Sequence, residues 1–227
     1  MGKAHATTRE VPVQIGSGRT ILSGDLSMPR GATGLVLFAH GSGSSRHSPR
    51  NRFVAERLQN AGLGTLLIDL LTTHEEAEDQ YTGHLRFDIG LLADRLVMII
   101  DWLGDQQATS GLNIGLFGAS TGGGAALVAA ANRGDRVGAV VSRGGRPDLA
   151  GEALRLVRAP TLLIVGGRDE VVIELNEMAL RELTTCREKK LVIVPGASHL
   201  FEELGALDQV AELAADWFTR HLSGHER

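Results

Sequence analysis

A serine stands in Gly118-Ala119-Ser120-Thr121-Gly122, a G-x-S-x-G string. A serine hydroxyl attacks a carbonyl well only when a base takes its proton, and an acid is needed to hold that base in the right tautomer. Of the eight histidines, His199 alone follows a late apolar run and precedes the last helical pattern, with Pro195-Gly196-Ala197-Ser198 as its loop. His5, His221 and His225 lie in or near the termini, and His74 and His84 in a polar stretch. Asp169 leaves another apolar run through Gly166-Gly167-Arg168 and is the expected acid. Glu170 is its competitor, and helix capping is the plain alternative use of Asp169. The chain order Ser120, Asp169, His199 is one of three in which such triads are built.

The tetrahedral intermediate of acyl transfer also needs N–H donors for its oxyanion. The Thr121 amide, next after the nucleophile, is one candidate. The second is the Ser42 amide in His40-Gly41-Ser42-Gly43-Ser44-Ser45, with Gly43 as the alternative. His40 is expected to buttress that loop through hydrogen bonds. Arg143 and Arg146 close another apolar run, and Arg46 and Arg50 follow the glycine-rich loop. Their planar guanidinium forks suit a substrate carboxylate. With 20 arginines against 3 lysines, an arginine at any one position is weak evidence, and salt bridging weighs more heavily.

These residues need a scaffold that brings them to one edge. Short, nearly continuous apolar runs at 35–39, 65–69, 113–117, 137–142, 161–165 and 191–194 read as strands of a parallel sheet buried on both faces. Residues 11–15 and 20–28 alternate around Gly16-Ser17-Gly18 and read as an antiparallel hairpin. Helical spacing is carried by Val54, Leu58 and Ala61, by Ile89 through Leu103, and by Leu204 through Leu222. The stretch 125–131 is apolar all round, as a central buried helix would be. The strand before Ser120 and the helix after it would force the serine outward on a sharp turn, at a helix N-terminus that favours negative charge. Residues 70–86, rich in His, Glu, Asp and Thr, have no strong periodicity and read as a long rim loop, either a solvated crossover or a substrate-facing element.

The chain has 227 residues, of which 43% are hydrophobic and 4% aromatic. That suits one α/β domain over 10–223, with 1–9 as an N-terminal tail. A net charge of −4 argues against nucleic acid as a partner. One cysteine, Cys186, excludes an internal disulfide framework and a multi-cysteine zinc site. No apolar run approaches the ~20 residues that span a bilayer, so no membrane partner is expected and the location expected is cytoplasmic. No nucleotide-binding glycine fingerprint occurs, and no metal or cofactor is implied. A homodimer is left open.

The strings HGSGSS, GASTGGG, GGRD and GASH, in this order along an alternating β/α chain, resemble the α/β-hydrolase superfamily and its dienelactone hydrolase-like branch, which has little or no cap. The resemblance runs from about Val11 to Leu222. It implies the α/β-hydrolase fold, with Ser120 as nucleophile, Asp169 as acid and His199 as base. The dienelactone hydrolases proper use a cysteine nucleophile, so the serine here points to a more general serine esterase. The expected activity is hydrolysis of small carboxylic esters, lactones or thioesters through an acyl-enzyme. The alternatives are a small-ligand binding protein with slow or no turnover, and an acyltransferase or peptidase using the same triad.

Overall fold

The computed structural model describes residues 9–18 and 20–223; the expected tail lies, except for Arg9, outside them. Eight strands form one sheet in the order β1-β2-β4-β3-β5-β6-β7-β8. The strands are β1 (Glu10–Ser17), β2 (Thr20–Ser27), β3 (Leu35–Ala39), β4 (Gly64–Ile68), β5 (Ile114–Ala119), β6 (Val137–Arg143), β7 (Thr161–Gly166) and β8 (Lys189–Val194). The β1–β2 hairpin is antiparallel, and β2 joins β4 antiparallel. From β4 to β8 every pairing is parallel. Strands β3, β4, β5 and β7 are buried at every residue, which is why they read as unbroken apolar runs: helices cover both faces.

Helices α1 (Pro49–Asn60) and α6 (Ala206–Leu222) pack together on one face, where Trp217 and Phe218 are fully buried over Phe38 and Phe117. The other face is covered by α3 (Ile89–Asp105), α4 (Thr121–Asn132) and α5 (Glu170–Glu182). Strand order reverses at β3, which has β4 on one side and β5 on the other. The crevice beyond the carboxyl ends at such a switch point is where open α/β sheets bind ligands. The loop after β3 and the turn after β5 both open there.

Several expectations need correction. In the hairpin Ser17 pairs with Thr20 and Gly16 with Ile21, so Gly16 lies within β1. A Cβ at Gly16 would meet the Thr20 carbonyl oxygen at 2.4 Å, so that glycine serves a close approach and not the turn. Strand β8 is the sheet edge and half-exposed, not covered on both faces. Helix α5 was not anticipated. Residues 70–86 are not an extended loop: they contain helix α2 (Thr73–Thr82) and lead into a 3-10 turn, Leu85–Phe87. Thr72 and Glu75 form a reciprocal capping box at the start of α2, and Gly83, with φ +68°, ends it in the left-handed conformation.

Candidate active site

Ser120 sits between the end of β5 and the first residue of α4, with φ +50° and ψ −123°. That conformation is costly for a residue with a side chain and persists only where its surroundings enforce it. Here they do. A Cβ on Gly118 would meet Gly122 O and Gly123 Cα at 2.5 Å, and one on Gly122 would meet Ala39 O at 2.2 Å. Both glycines of the motif therefore let β3, β5 and α4 close on one another. The Ser120 carbonyl accepts from the Gly123 and Arg146 amides at 2.9 and 3.0 Å, while its own N–H reaches Arg143 O at 3.3 Å. The turn is thus tied to the segment after β6.

Asp169 and His199 meet at the same edge. Asp169 Oδ2 is 2.5 Å from His199 Nδ1, although the two residues come from the ends of β7 and β8. Asp169 does occupy the N-cap position of α5, but its side chain makes no capping bond; the carboxylate is given to the imidazole instead. The two loops are laced together around this pair. The Arg168 amide donates to Ala197 O at 2.9 Å, Arg168 Nε donates to Gly196 O at 2.5 Å, and the Ser198 amide donates to Glu203 Oε2 at 2.9 Å. Gly144, with φ +50°, lies against the His199 ring, where a Cβ would come within 3.5 Å of Cε1 and Nδ1. Ser120 and His199 line one cleft, and no hydrogen bond joins their side chains in this structure. Catalytic hydrogen bonds of unliganded enzymes are often long and tighten around substrate.

The loop after β3 is held from below. Leu70 N–H donates to His40 Nε2 at 3.1 Å, and His40 Nδ1 lies 3.0 Å from Gly41 O. Since Nε2 must accept, Nδ1 carries the proton and donates, which makes His40 a neutral buttress. Burial pushes its pKa down, against weaker raising effects of the Gly41 carbonyl, Asp69 and Glu76. The Ser42 amide donates to Thr121 Oγ1 at 2.9 Å, so the expected second oxyanion donor is occupied by a hydroxyl that substrate must displace. The Thr121 amide is in the first turn of α4, where no intrahelical carbonyl is available.

The arginines divide. Arg46 pairs with Asp69 and, at 3.4 Å, with Asp25. Arg146 makes a two-bond fork with Asp148 at 2.8 and 2.7 Å. Both are engaged in ion pairs, the salt-bridging role that weighed more heavily for them. Arg143 lines the cleft with Ser120 and His199 and is 8% exposed. Its single side-chain contact is Nη2 to Asn51 Oδ1 at 3.4 Å, and Nε and Nη1 have no partner. Burial and the nearby Arg50 push its pKa down to about 10.

Two lobes flank the loop Gly41–Ser44. One, of about 250 Å³, contains Ser120, His199, Arg50 and Arg143. The other, of about 230 Å³, lies under α2 and is lined by His40, Leu71, Asp79, Gln80 and Arg86 among others. Asp79 is buried and accepts from Arg86 Nε at 2.5 Å and from the Leu85 amide at 2.6 Å. Sequence reasoning missed this second lobe, although T-x-x-E at 72–75 and Gly83 were readable helix signals. It also missed Arg168, Glu203 and Gly144, for which no local signal exists.

The dienelactone hydrolase family model matches residues 26–223. The chain belongs to the dienelactone hydrolase family. A dienelactone hydrolase from Anabaena variabilis is similar at 63% sequence identity, covering 95% of this chain and 99% of that one, with a TM-score of 0.92. Est1E from Butyrivibrio proteoclasticus, at 18% identity, 92% and 98% coverage and a TM-score of 0.77, shares the fold alone. A Mycobacterium tuberculosis protein named "Putative phosphoribosyl transferase Rv0571c" is 56% identical over 216 residues, which are 95% of this chain and 47% of that protein. The chain thus spans about half the length of the curated relatives it matches. Dienelactone hydrolase family membership and the structure agree on an α/β-hydrolase fold. Among the described residues, no helix is long and apolar enough to cross a membrane.

Proposed function

We propose that this chain is a serine hydrolase of small carboxylic esters, acting through an acyl-enzyme. The observation that carries the reading is the 2.5 Å Asp169–His199 contact beside a serine held at φ +50° in the same cleft. Ser120 Oγ attacks the ester carbonyl as His199 Nε2 takes its proton. Asp169 keeps the Nδ1–H tautomer and stabilises the imidazolium. The Thr121 and Ser42 amides receive the oxyanion once the Thr121 hydroxyl turns away from Ser42. His199 returns the proton to the leaving alcohol, and a water activated by the same ring releases the acid.

A fluorophosphonate should label Ser120 covalently, with labelling lost in Ser120→Ala and reduced at least ~10³-fold in His199→Ala. Hydrolysis of p-nitrophenyl esters should vanish in parallel. A folded protein that forms no adduct would favour a binding module on this fold.

A further inference from the structure

Beside the nucleophile lies positive charge that the protein itself leaves unanswered. We propose that Arg143 and Arg50, with the N-terminus of α1, form a subsite for a phosphate group carried by the substrate next to its reacting ester. This rests on the ester-hydrolase reading for its place in the reaction, though not for the binding itself.

Arg143 is more than nine-tenths buried, makes its one side-chain hydrogen bond to the neutral Asn51 amide oxygen, and keeps two guanidinium nitrogens without hydrogen-bond partners. Arg50 likewise has a buried Nε without a partner. Its one ion pair, to Glu202, is 3.4 Å long, and that carboxylate is 64% exposed, so solvent screens most of the attraction. No carboxylate lines this lobe, whereas the Ser44 and Ser48 side chains do. Ser48 is the N-cap of the twelve-residue helix α1, so a helix N-terminus faces the same space. A buried charge without a partner is strongly unfavourable, and a bound anion would remove that cost.

Charge counting favours phosphate over carboxylate. Two guanidinium groups and a helix N-terminus face the lobe. A carboxylate brings one negative charge and two oxygens; a phosphate monoester brings nearly two above a pKa of ~6, with three terminal oxygens. A phosphate's third oxygen and second charge answer both arginines and the Ser44 or Ser48 hydroxyl more fully than a carboxylate does. The lobe, about 250 Å³, has room for a phosphate beside a small ester.

Calorimetry at pH 8 with inorganic phosphate as the probe tests this. Phosphate should bind, raise the melting temperature and slow fluorophosphonate labelling of Ser120. Acetate should do each more weakly. Arg143→Met and Arg50→Gln should each weaken phosphate binding about tenfold, the loss of one charge-assisted contact. Melting curves show whether each variant is folded, and Arg50 is the more exposed of the two. Phosphate binding no tighter than acetate, or unchanged in both folded variants, overturns the proposal. Phosphate bound with Ser120 unlabelled leaves the subsite standing and sinks the hydrolase reading; labelling without phosphate binding does the reverse.

Discussion

The two lobes on either side of the glycine-rich loop differ in how they treat charge. Under α2 the buried and half-buried charges have partners: Asp79 with Arg86, Arg95 with Glu75, Asp69 with Arg46. Around Ser120, Arg143 has no carboxylate and Arg50 only a long, exposed one. The three pairs tie down chain segments that lack a hydrophobic reason to stay. Helix α2 buries only Asp79, so its position depends on that carboxylate and its capping box. Arg143 holds little in place by comparison. Paired charges here maintain a shape, and unpaired ones are available to a ligand.

The largest test of that contrast is Asp79→Asn. Burial pushes this carboxyl up, but the Arg86 guanidinium and the Leu85 and Arg86 amides outweigh it and hold it below its ordinary value. Neutralising it should lower the melting temperature by several degrees and speed hydrogen exchange in α2. Arg143→Met should do the opposite and leave the melting temperature unchanged or raised, because an unpaired buried charge is unfavourable and an apolar side chain of similar length removes it. If Arg143→Met melts as early as Asp79→Asn, Arg143 is structural and the contrast fails. Thr72→Ala removes the cap and should cost about 1 kcal/mol, with faster exchange confined to the first turn of α2; equal exchange throughout would deny the capping box its role.

The smallest effect expected is a pH dependence from His40. Its folded pKa lies below the ordinary 6.5 because burial penalises the charged ring. Below pH 6.5 the unfolded chain therefore binds the extra proton, so stability falls as pH drops until the folded value is passed; above pH 6.5 the contribution is absent. The melting temperature of wild type should fall more steeply between pH 7.5 and 5 than that of His40→Asn. Parallel curves would mean that His40 does not couple to unfolding.

Much of this was readable in advance. The buried runs of β3 to β7 and the helices α1, α3, α4 and α6 follow from periodicity, because their burial is regular along the chain. Helix α2 was missed because its residues are nearly all polar and its few anchors are electrostatic. Strand β8 was expected to be covered because Leu191–Val194 is apolar, and sequence does not say which strand is outermost. In the site, the motif around Ser120 is local, and so are its glycines. The contacts of Arg168 with Gly196 O and with Glu203 join the β7 and β8 loops across about thirty residues, and no spacing rule reports them.

From its order of residue types the chain determined a strand–turn–helix that must expose Ser120, and the side chains available to serve it, since backbone sterics and hydrophobic periodicity act over neighbours. Tertiary packing decided which of the arginines are free. Arg46, Arg143 and Arg146 are alike in sequence. Asp148 answers Arg146 from two residues along the chain, but Asp69 reaches Arg46, and Asn51 alone reaches Arg143, only across the fold. Whether a charge is answered depends on distances across the fold, which one-dimensional order does not contain.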